Sequence, residues 1–470
     1  MKFYIETVGC QMNVLDSELA MAELIDAGYT PVSAKRYADI VLFNTCSVRQ
    51  HAEDKVYSAL GRLKHWKDQK PNAIIGVMGC MAQKDRELIF RRAPHVDIVL
   101  GPGQLRQLPA LVKAVETEKQ RQIEVSLSRS EGRHSEVKDS FSQFNPQRVL
   151  RARGNPHQAM VRIMFGCDKF CTYCIVPSVR GPEQSRPPHE IEAEIRQLAE
   201  QGCLEVTLIG QTVNSYRYKE GEKTWRLQDL FEMIENIDGI KRVRFVTSYP
   251  VGMTDALLQS IRDLPKVMPF LHVPAQSGSN DVLQRMKRHY TVEEYHDLLD
   301  RIYETIPNAA VTSDFIVGFC GETDAEYEQT VELVKYGRFK NSFIFKYSVR
   351  PGTKAAELYD DDVHEAVKKR RNNELLAVQN AISLELNELF IGKTVDILVE
   401  GTSKNAAKEQ TSDLIQIAPH NLPQNELVQL TGHTPCDRIV VFDGSPELVG
   451  QILPIRITAA APFTLFGKMG

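Results

Sequence analysis

The sequence predicts a multidomain α/β protein with four regions. These are an N-terminal parallel-sheet α/β domain over residues 1–118, a basic linker over 119–152, a partial (β/α)6 barrel over 153–388, and a small β-barrel over 389–460. Three observations predict it. Strand-like and helix-like segments alternate through the first hundred residues, the pattern of a parallel sheet with covering helices. A second alternating series with six strand-like runs starts at Met160. After Gly392 the helical patterns stop, and short strands separated by turns take over.

In the first series, 2–8, 39–45, 73–79 and 96–100 read as strands, and 17–27 and 52–66 as helices. The first three strands run into Cys10, Cys46 and Cys80, at intervals of 36 and 34 residues, about one βα unit each. In a parallel sheet, ligands gather outside the carboxyl ends of the strands, so three distant cysteines are expected at one edge. Taken singly, each could be a small buried residue at a strand end. Three in register point to an inorganic cluster with three protein ligands.

Residues 119–162 carry nine Lys or Arg against four acids. Arg148, Arg151, Arg153 and Arg162 have no acid among them, which makes this stretch either a phosphate-contacting connector or a solvated linker.

The strand-like run 160–165 leads into Gly166-Cys167-Asp168-Lys169-Phe170-Cys171-Thr172-Tyr173-Cys174. The spacing C-x3-C-x2-C can converge three thiolates on one cluster. A cubane has four irons and is usually held by four cysteines, so this motif is one ligand short. An open coordination position is where a catalytic metal takes a small molecule. A zinc knuckle or a scatter of core cysteines accounts for neither the aromatic before the third cysteine nor the trailing Pro177, Arg180, Gly181 and Ser185-Arg186-Pro187. Further strand-like runs are 205–210, 242–247, 270–274, 311–317 and 342–347. Polar or glycine clusters follow them: Gln211 and Asn214, Ser248, Gln276-Ser277-Gly278-Ser279, then Gly318 and Gly321-Glu322. Active-site groups of parallel barrels sit at these carboxyl ends. Residues 363–389 form an amphipathic helix whose Lys368-Lys369-Arg370-Arg371 reads as a solvated face, and 394–399, 426–430, 438–442 and 453–457 are the closing strands.

The net charge of −4 rules out a globally basic nucleic-acid binder and leaves only local patches. No apolar run approaches bilayer length, and the first residues read as a strand rather than a signal peptide. Nine cysteines without such a signal argue for a reducing cytoplasm and for metal ligation.

C-x3-C-x-aromatic-C resembles the signature of the radical S-adenosylmethionine enzymes. Together the three regions resemble the radical S-adenosylmethionine methylthiotransferases along essentially the full chain. Val8-Gly9-Cys10-Gln11-Met12-Asn13, Asp16-Ser17-Glu18, Asn44-Thr45-Cys46-Ser47-Val48-Arg49 and Gly79-Cys80-Met81-Ala82 are similar to the tRNA-modifying branch called MiaB. So are 313–319 and Arg350-Pro351-Gly352-Thr353. The C-terminal barrel is similar to the RNA-binding TRAM domain. Three positions depart from the family: Cys320 stands where proline is usual, Phe165 where an acid is common, and Gly432-His433-Thr434 where Gly-Arg-Thr is usual. The C-terminal region also carries an insertion near 406–424.

The resemblance implies two 4Fe-4S clusters, one on Cys167, Cys171 and Cys174 and an auxiliary one on Cys10, Cys46 and Cys80. It places S-adenosyl-L-methionine beside Tyr173, Gly210, Gln211, Gln276, Ser277, Val317 and Gly318. The implied reaction adds a methylthio group to C2 of N6-isopentenyladenosine next to the tRNA anticodon. One S-adenosylmethionine serves as methyl donor and another as radical source. Implied partners are the tRNA anticodon stem-loop, an electron donor such as a flavodoxin or ferredoxin, and a sulfur source, with no membrane. The neighbouring activities are methylthiolation of threonylcarbamoyl-adenosine or of ribosomal protein S12; the first-cysteine pattern favours tRNA. A simple electron-transfer protein would use four-cysteine sites, which two sets of three do not supply. Cys203 and Cys436 lie outside any ligand-like spacing.

Overall fold

The computed structural model describes residues 1–47, 50–125, 148–403 and 427–470. The N-terminal sheet is six-stranded and parallel, in the order Thr30–Pro31, Lys2–Val8, Ile40–Thr45, Ile74–Gly79, Ile98–Leu100, Gln122–Glu124. It therefore runs past residue 118, where the sequence reading ended the domain. Ile40–Thr45 and Ile74–Gly79 are buried along their whole length, as expected of strands covered on both faces.

In the central domain, Gln158–Arg162, Glu205–Ile209 and Arg242–Phe245 form one parallel sheet, and Phe270–His272, Ala310–Val317 and Asn341–Lys346 another. A bridge from Val243 to Val267 and the bond from Ser248 N to His272 O (3.1 Å) carry the curvature from one sheet to the next. The six strands thus make the expected open barrel. A hairpin, Arg217–Glu220 with Lys223–Arg226, interrupts the βα alternation and was not expected.

The last domain is a closed barrel of five strands: Thr394–Thr402, Val428–His433, Ile439–Gly444, Thr464–Met469 and Ile452–Ala461. The sequence reading stopped at residue 460 and lacked Thr464–Met469, whose Gly467 and half-exposed Phe466 obscure the two-residue period. The expected insertion near 406–424 lies outside the described residues.

Two interfaces fix these domains on one another. Met160, Ile209 and Val246 of the central barrel pack against the core of Phe3, Met12, Leu15 and Leu19. At the amino ends of the central strands, Arg242 Nη1 donates to His433 O (2.8 Å), and Arg244 Nη2 to Thr434 O (2.7 Å). There too Gln158 Nε2 donates to Glu400 Oε1 (2.7 Å). The C-terminal barrel therefore docks at the end of the central barrel opposite its carboxyl edge. His433, at the position of the unusual turn, pairs with Glu400 through Nδ1 (2.7 Å).

Candidate functional site: two groups of three thiols

Three adjacent strands of the N-terminal sheet end in step. Val8 pairs with Thr45, and Thr45 with Gly79, so Cys10, Cys46 and Cys80 leave the same edge side by side. Helix Gln11–Asp26 begins directly at Cys10, six residues earlier than the expected start at Ser17. Asn13 explains the early start. Its Oδ1 faces the Cys10 thiol at 3.3 Å, and its Nδ2 donates to Asn44 Oδ1 (2.9 Å), one strand away. Asn44 Nδ2 returns a bond to Asn13 O (2.8 Å) and a second to Ser17 Oγ (2.9 Å). This buried amide network ties the first thiol to the strand that delivers the second.

A hydrogen bond with Cys46 holds the Cys10 thiol down to about 6, against burial and with help from Arg180 and the helix-start N–H groups. Burial pushes the Cys80 thiol up, and the Arg180 guanidinium opposes it.

The second group is local. Gly166, at φ +71°, turns the chain, and Cys167 N donates to Gly181 O (3.2 Å). Cys174 N donates to Cys171 O (3.0 Å), closing the loop over the barrel's carboxyl end. Cys167 Sγ lies 3.6 Å from Thr212 Oγ1. Burial raises the Cys167 thiol, and it drives Cys174 up to about 12 with the neighbouring Cys171 adding to the shift. Arg288 faces this group. Its Nη1 donates to Cys171 Sγ (3.4 Å), Nε to Tyr290 Oη (2.9 Å) and Nη2 to Pro274 O (2.9 Å). Tyr249 and Tyr290 lie against its guanidinium face.

The other expected site residues stand around this carboxyl end with differing contacts. Tyr173 packs against Val282, Met286, Phe319 and Tyr347, and burial raises its hydroxyl well above the usual value. Gly210 and Gln211 follow the strand Glu205–Ile209, and a Cβ at Gly210 would overlap Met164. Gln276 sits at φ +72° and bonds both ways to the neighbouring strand, N to Asp314 O (2.8 Å) and O from Ile316 N (2.9 Å). Ser277 turns its hydroxyl inward to Thr330 Oγ1 (3.3 Å) and accepts from Ser279 N (3.2 Å). Val317 is core, and Gly318 gives up its Cβ to the Lys368 side chain. Close packing thus accounts for Gly210, Ser277 and Gly318 locally.

Two charge readings are corrected. Arg148, Arg153 and Arg162 are buried rather than turned to phosphates or solvent. Arg148 pairs with Glu18 and Glu194, Arg153 bonds Gln201 Oε1 (3.1 Å), and Arg162 pairs with Asp16. Their partners come from distant elements, so local charge counting misses them. The rest of the connector, 126–147, and the Arg151 side chain lie outside the described residues. In the helix Glu365–Glu388, Lys368 and Arg371 are also buried, against Asp361 and Glu322, while Lys369 and Arg370 stay exposed.

The sequence reading gave no role to Arg180, Arg288 or Arg350, all of which face the thiols. Arg180 Nε donates to Cys80 Sγ (3.3 Å), and Glu53 and Cys46 both act on the Arg350 guanidinium. Arg180 and Arg350 each lie in a motif quoted above, the one trailing Cys174 and Arg350-Pro351-Gly352-Thr353, whereas Arg288 left no local signal. Phe165, at the family's usual acid position, lies near the guanidiniums of both Arg162 and Arg180, at 5.4 and 5.6 Å from its ring centre.

Among the described residues, no three His, Cys, Asp or Glu side chains gather about a point that one metal ion could fill. A cubane differs, because each thiolate takes its own iron. The groups Cys10, Cys46, Cys80 and Cys167, Cys171, Cys174 could each hold one by three corners.

Family models match along the chain: an uncharacterized protein family, UPF0004, over residues 2–101, the radical SAM superfamily over 161–334, and the TRAM domain over 428–469. The chain is similar in fold to the radical S-adenosylmethionine methyltransferase TsrM from Kitasatospora setae. The TM-score is 0.53 at 14% identity, covering 76% of this chain and 75% of that one. A tRNA-2-methylthio-N(6)-dimethylallyladenosine synthase of Rhodopirellula baltica is 56% identical over 466 residues, covering 99% of this chain and 95% of the relative. One of Acidovorax sp. is 41% identical over 472 residues, covering 100% and 97%. The chain belongs to the tRNA-2-methylthio-N(6)-dimethylallyladenosine synthase family of radical SAM enzymes.

Proposed function

We propose that this chain adds a methylthio group to C2 of N6-isopentenyladenosine beside the anticodon of tRNA. The observation that carries the reading is the pairing of two three-thiol groups joined by one short segment. Ile175 and Val179, just after Cys174, pack directly on Cys80. The donor sets fit the clusters implied for them. Each offers three thiols with a guanidinium N–H on one sulfur, and beside Cys80 the buried Arg180 Nη1 has no hydrogen-bond partner. An anionic cluster would satisfy that donor.

Cys167, Cys171 and Cys174 would hold the cluster that S-adenosylmethionine completes, and Cys10, Cys46 and Cys80 the auxiliary one. When bound, these groups supply what side chains cannot: an electron for cleaving S-adenosylmethionine and a site for the sulfur that is transferred. The protein's own work is to position and exclude. Tyr173 and its apolar neighbours close one side of the central group. Gln276, at positive φ, is held at the carboxyl edge by its backbone bonds to the adjacent strand. Arg288 fixes Cys171 while its other donors are committed to Tyr290 and Pro274. The target base must leave its stack to reach this edge, which a single-stranded anticodon loop permits. The C-terminal barrel, at the far end, would hold RNA away from the reacting base.

A flavodoxin- or ferredoxin-like reductant, a sulfur source and a cytoplasmic setting complete the proposal. No helix among the described residues is long and apolar enough to cross a membrane. The test reconstitutes the protein anaerobically with iron, sulfide, reductant and S-adenosylmethionine. It then offers tRNA bearing N6-isopentenyladenosine, tRNA bearing threonylcarbamoyl-adenosine, and an S12 loop peptide. Mass spectrometry should find the methylthio group on isopentenyladenosine alone. Its appearance on either other substrate, or 5′-deoxyadenosine without a methylthio product, would overturn the proposal.

A further inference from the structure

Arg180 is 1% exposed and Asp16 0%, and they meet across the boundary between the N-terminal and central domains. Arg180 ends the short helix Val176–Arg180, six residues after Cys174. Its Nη2 donates to Asp16 Oδ2 (2.7 Å) and its Nε to Cys80 Sγ (3.3 Å). Arg162 takes the other oxygen of the same carboxylate. Two buried guanidiniums thus share one acid, and both lie near the Phe165 ring. The next arginine along, Arg186, is paired with Glu194 and Glu190. A buried charge without a full counter-charge is costly unless something supplies the missing negative charge. Arg180 Nη1 is left without a hydrogen-bond partner beside Cys80.

We propose that Arg180 is a positioning residue for the auxiliary cluster. It is held by Asp16 so that its N–H groups address Cys80 and the cluster's own sulfides, and it sets how readily that cluster is reduced. This rests on the reading of Cys10, Cys46 and Cys80 as its ligands. A cubane on three thiolates is an anion in its usual oxidised state and gains one more negative charge on reduction. A fixed cation and hydrogen bonds to its sulfurs therefore stabilise the reduced form and raise the potential. The geometry adds a second consequence. Arg180 belongs to the segment that also carries Cys174, so docking of the domains at Asp16 and electrostatics at Cys80 are one contact. The auxiliary group receives its full field only when the central domain is seated.

The test uses the full-length chain with Cys167, Cys171 and Cys174 replaced by Ala, so that only the auxiliary group can hold a cluster. Iron and sulfide are counted, and the reduced cluster's paramagnetic signal is followed against applied potential. The Arg180→Met form should shift its midpoint to more negative potential. Arg180→Lys, which keeps the charge and loses the fork, should fall between. A midpoint for Arg180→Met equal to the parent's at equal iron content overturns the proposal. If Arg180→Met retains no iron, the lysine form decides. A shifted midpoint supports the inference, and an unshifted one overturns it. Iron loss in both forms together with loss of cooperative unfolding of the apoprotein also overturns it, because Arg180 is then a packing residue. A parent that binds no cluster overturns the underlying ligand assignment and the inference with it. The midpoint is read without turnover, so failure of the tRNA substrate reading leaves this result standing.

Discussion

The two thiol groups reach similar arrangements from opposite ends of the sequence scale. Cys167, Cys171 and Cys174 come from one loop of eight residues, and a single turn decides their placement. Cys10, Cys46 and Cys80 come from three strands, and their placement requires the sheet register, the Asn13–Asn44 network and the seating of the central domain through Asp16 and Arg180. The local group survives small disturbances far away. The assembled group depends on the whole N-terminal fold, and in exchange it gains contacts that a loop cannot offer. A thiol at a helix start, a buried amide network and a guanidinium from a second domain all act on it.

The largest expected effect separates the groups by what each does. Cys171→Ala should abolish both 5′-deoxyadenosine and the methylthio product. Cys10→Ala should abolish the methylthio product while the protein still cleaves S-adenosylmethionine to 5′-deoxyadenosine. Chromatography of the nucleoside products with mass detection reads both. Equal loss of 5′-deoxyadenosine in the two variants would erase the division of labour.

A smaller effect separates them by how they are built. Each group has a glycine at positive φ just before a cysteine, Gly166 (φ +71°) and Gly79 (φ +92°). Alanine in the left-handed region costs about 1–3 kcal/mol at either position. The surroundings then differ. At Gly166 the new Cβ would overlap the Pro182 carbonyl and lie 2.6 Å from Gly181 O, both of them backbone. At Gly79 the first atom met is the end of the Asn44 side chain, with Thr45 O next at 2.8 Å. Gly166→Ala should lose the central group's iron and leave the auxiliary group's in place. Gly79→Ala should lower the melting temperature less and thin only the auxiliary iron, through the broken Asn44 bonds. Iron counting with thermal unfolding reads this, and identical profiles would show that the groups are not built independently.

The same contrast explains what the sequence could and could not convey. The C-x3-C-x2-C loop is legible because its whole geometry lies within a few residues. The distant trio is legible because the βα repeat has a characteristic length, so equal intervals imply one sheet edge. What sets the field around the thiols was not legible. Asn13 and Asp16 sit on buried faces of the first helix, where polar residues weaken the apolar period, so the sequence pattern starts the helix six residues late. Arg148, Arg153 and Arg162 look like a basic stretch because Glu18, Asp16 and Glu194 reach them only in the folded chain. Long-range ion pairs leave no local trace. The fifth strand of the C-terminal barrel is hidden for a related reason: a glycine and exposed apolar side chains mask its alternation.

The smallest expected effect concerns the cysteines that belong to neither group. Burial alone does not distinguish them. It pushes the Cys203 thiol up to about 11 and raises Cys320, as it raises Cys80 and Cys174. Neighbours do distinguish them. Cys203 faces the carbonyls of His157 and Glu205, Cys320 packs among Val282, Met286, Phe319 and Tyr347, and Cys436 sits between Thr434 and Arg438. The contacts of each are with carbonyls, apolar side chains, a hydroxyl or a guanidinium, whereas the thiols of each group act on one another. A cluster must be met by several thiolates at once, so a buried thiol with no second thiol beside it is packing rather than a ligand. Alanine at Cys203, Cys320 or Cys436 should cost about 1 kcal/mol of stability and leave the iron content of the reconstituted protein unchanged. Loss of iron in any one of them would mean that a fourth protein ligand had been overlooked. The proposal that each group holds its cluster by three thiols alone would then fail.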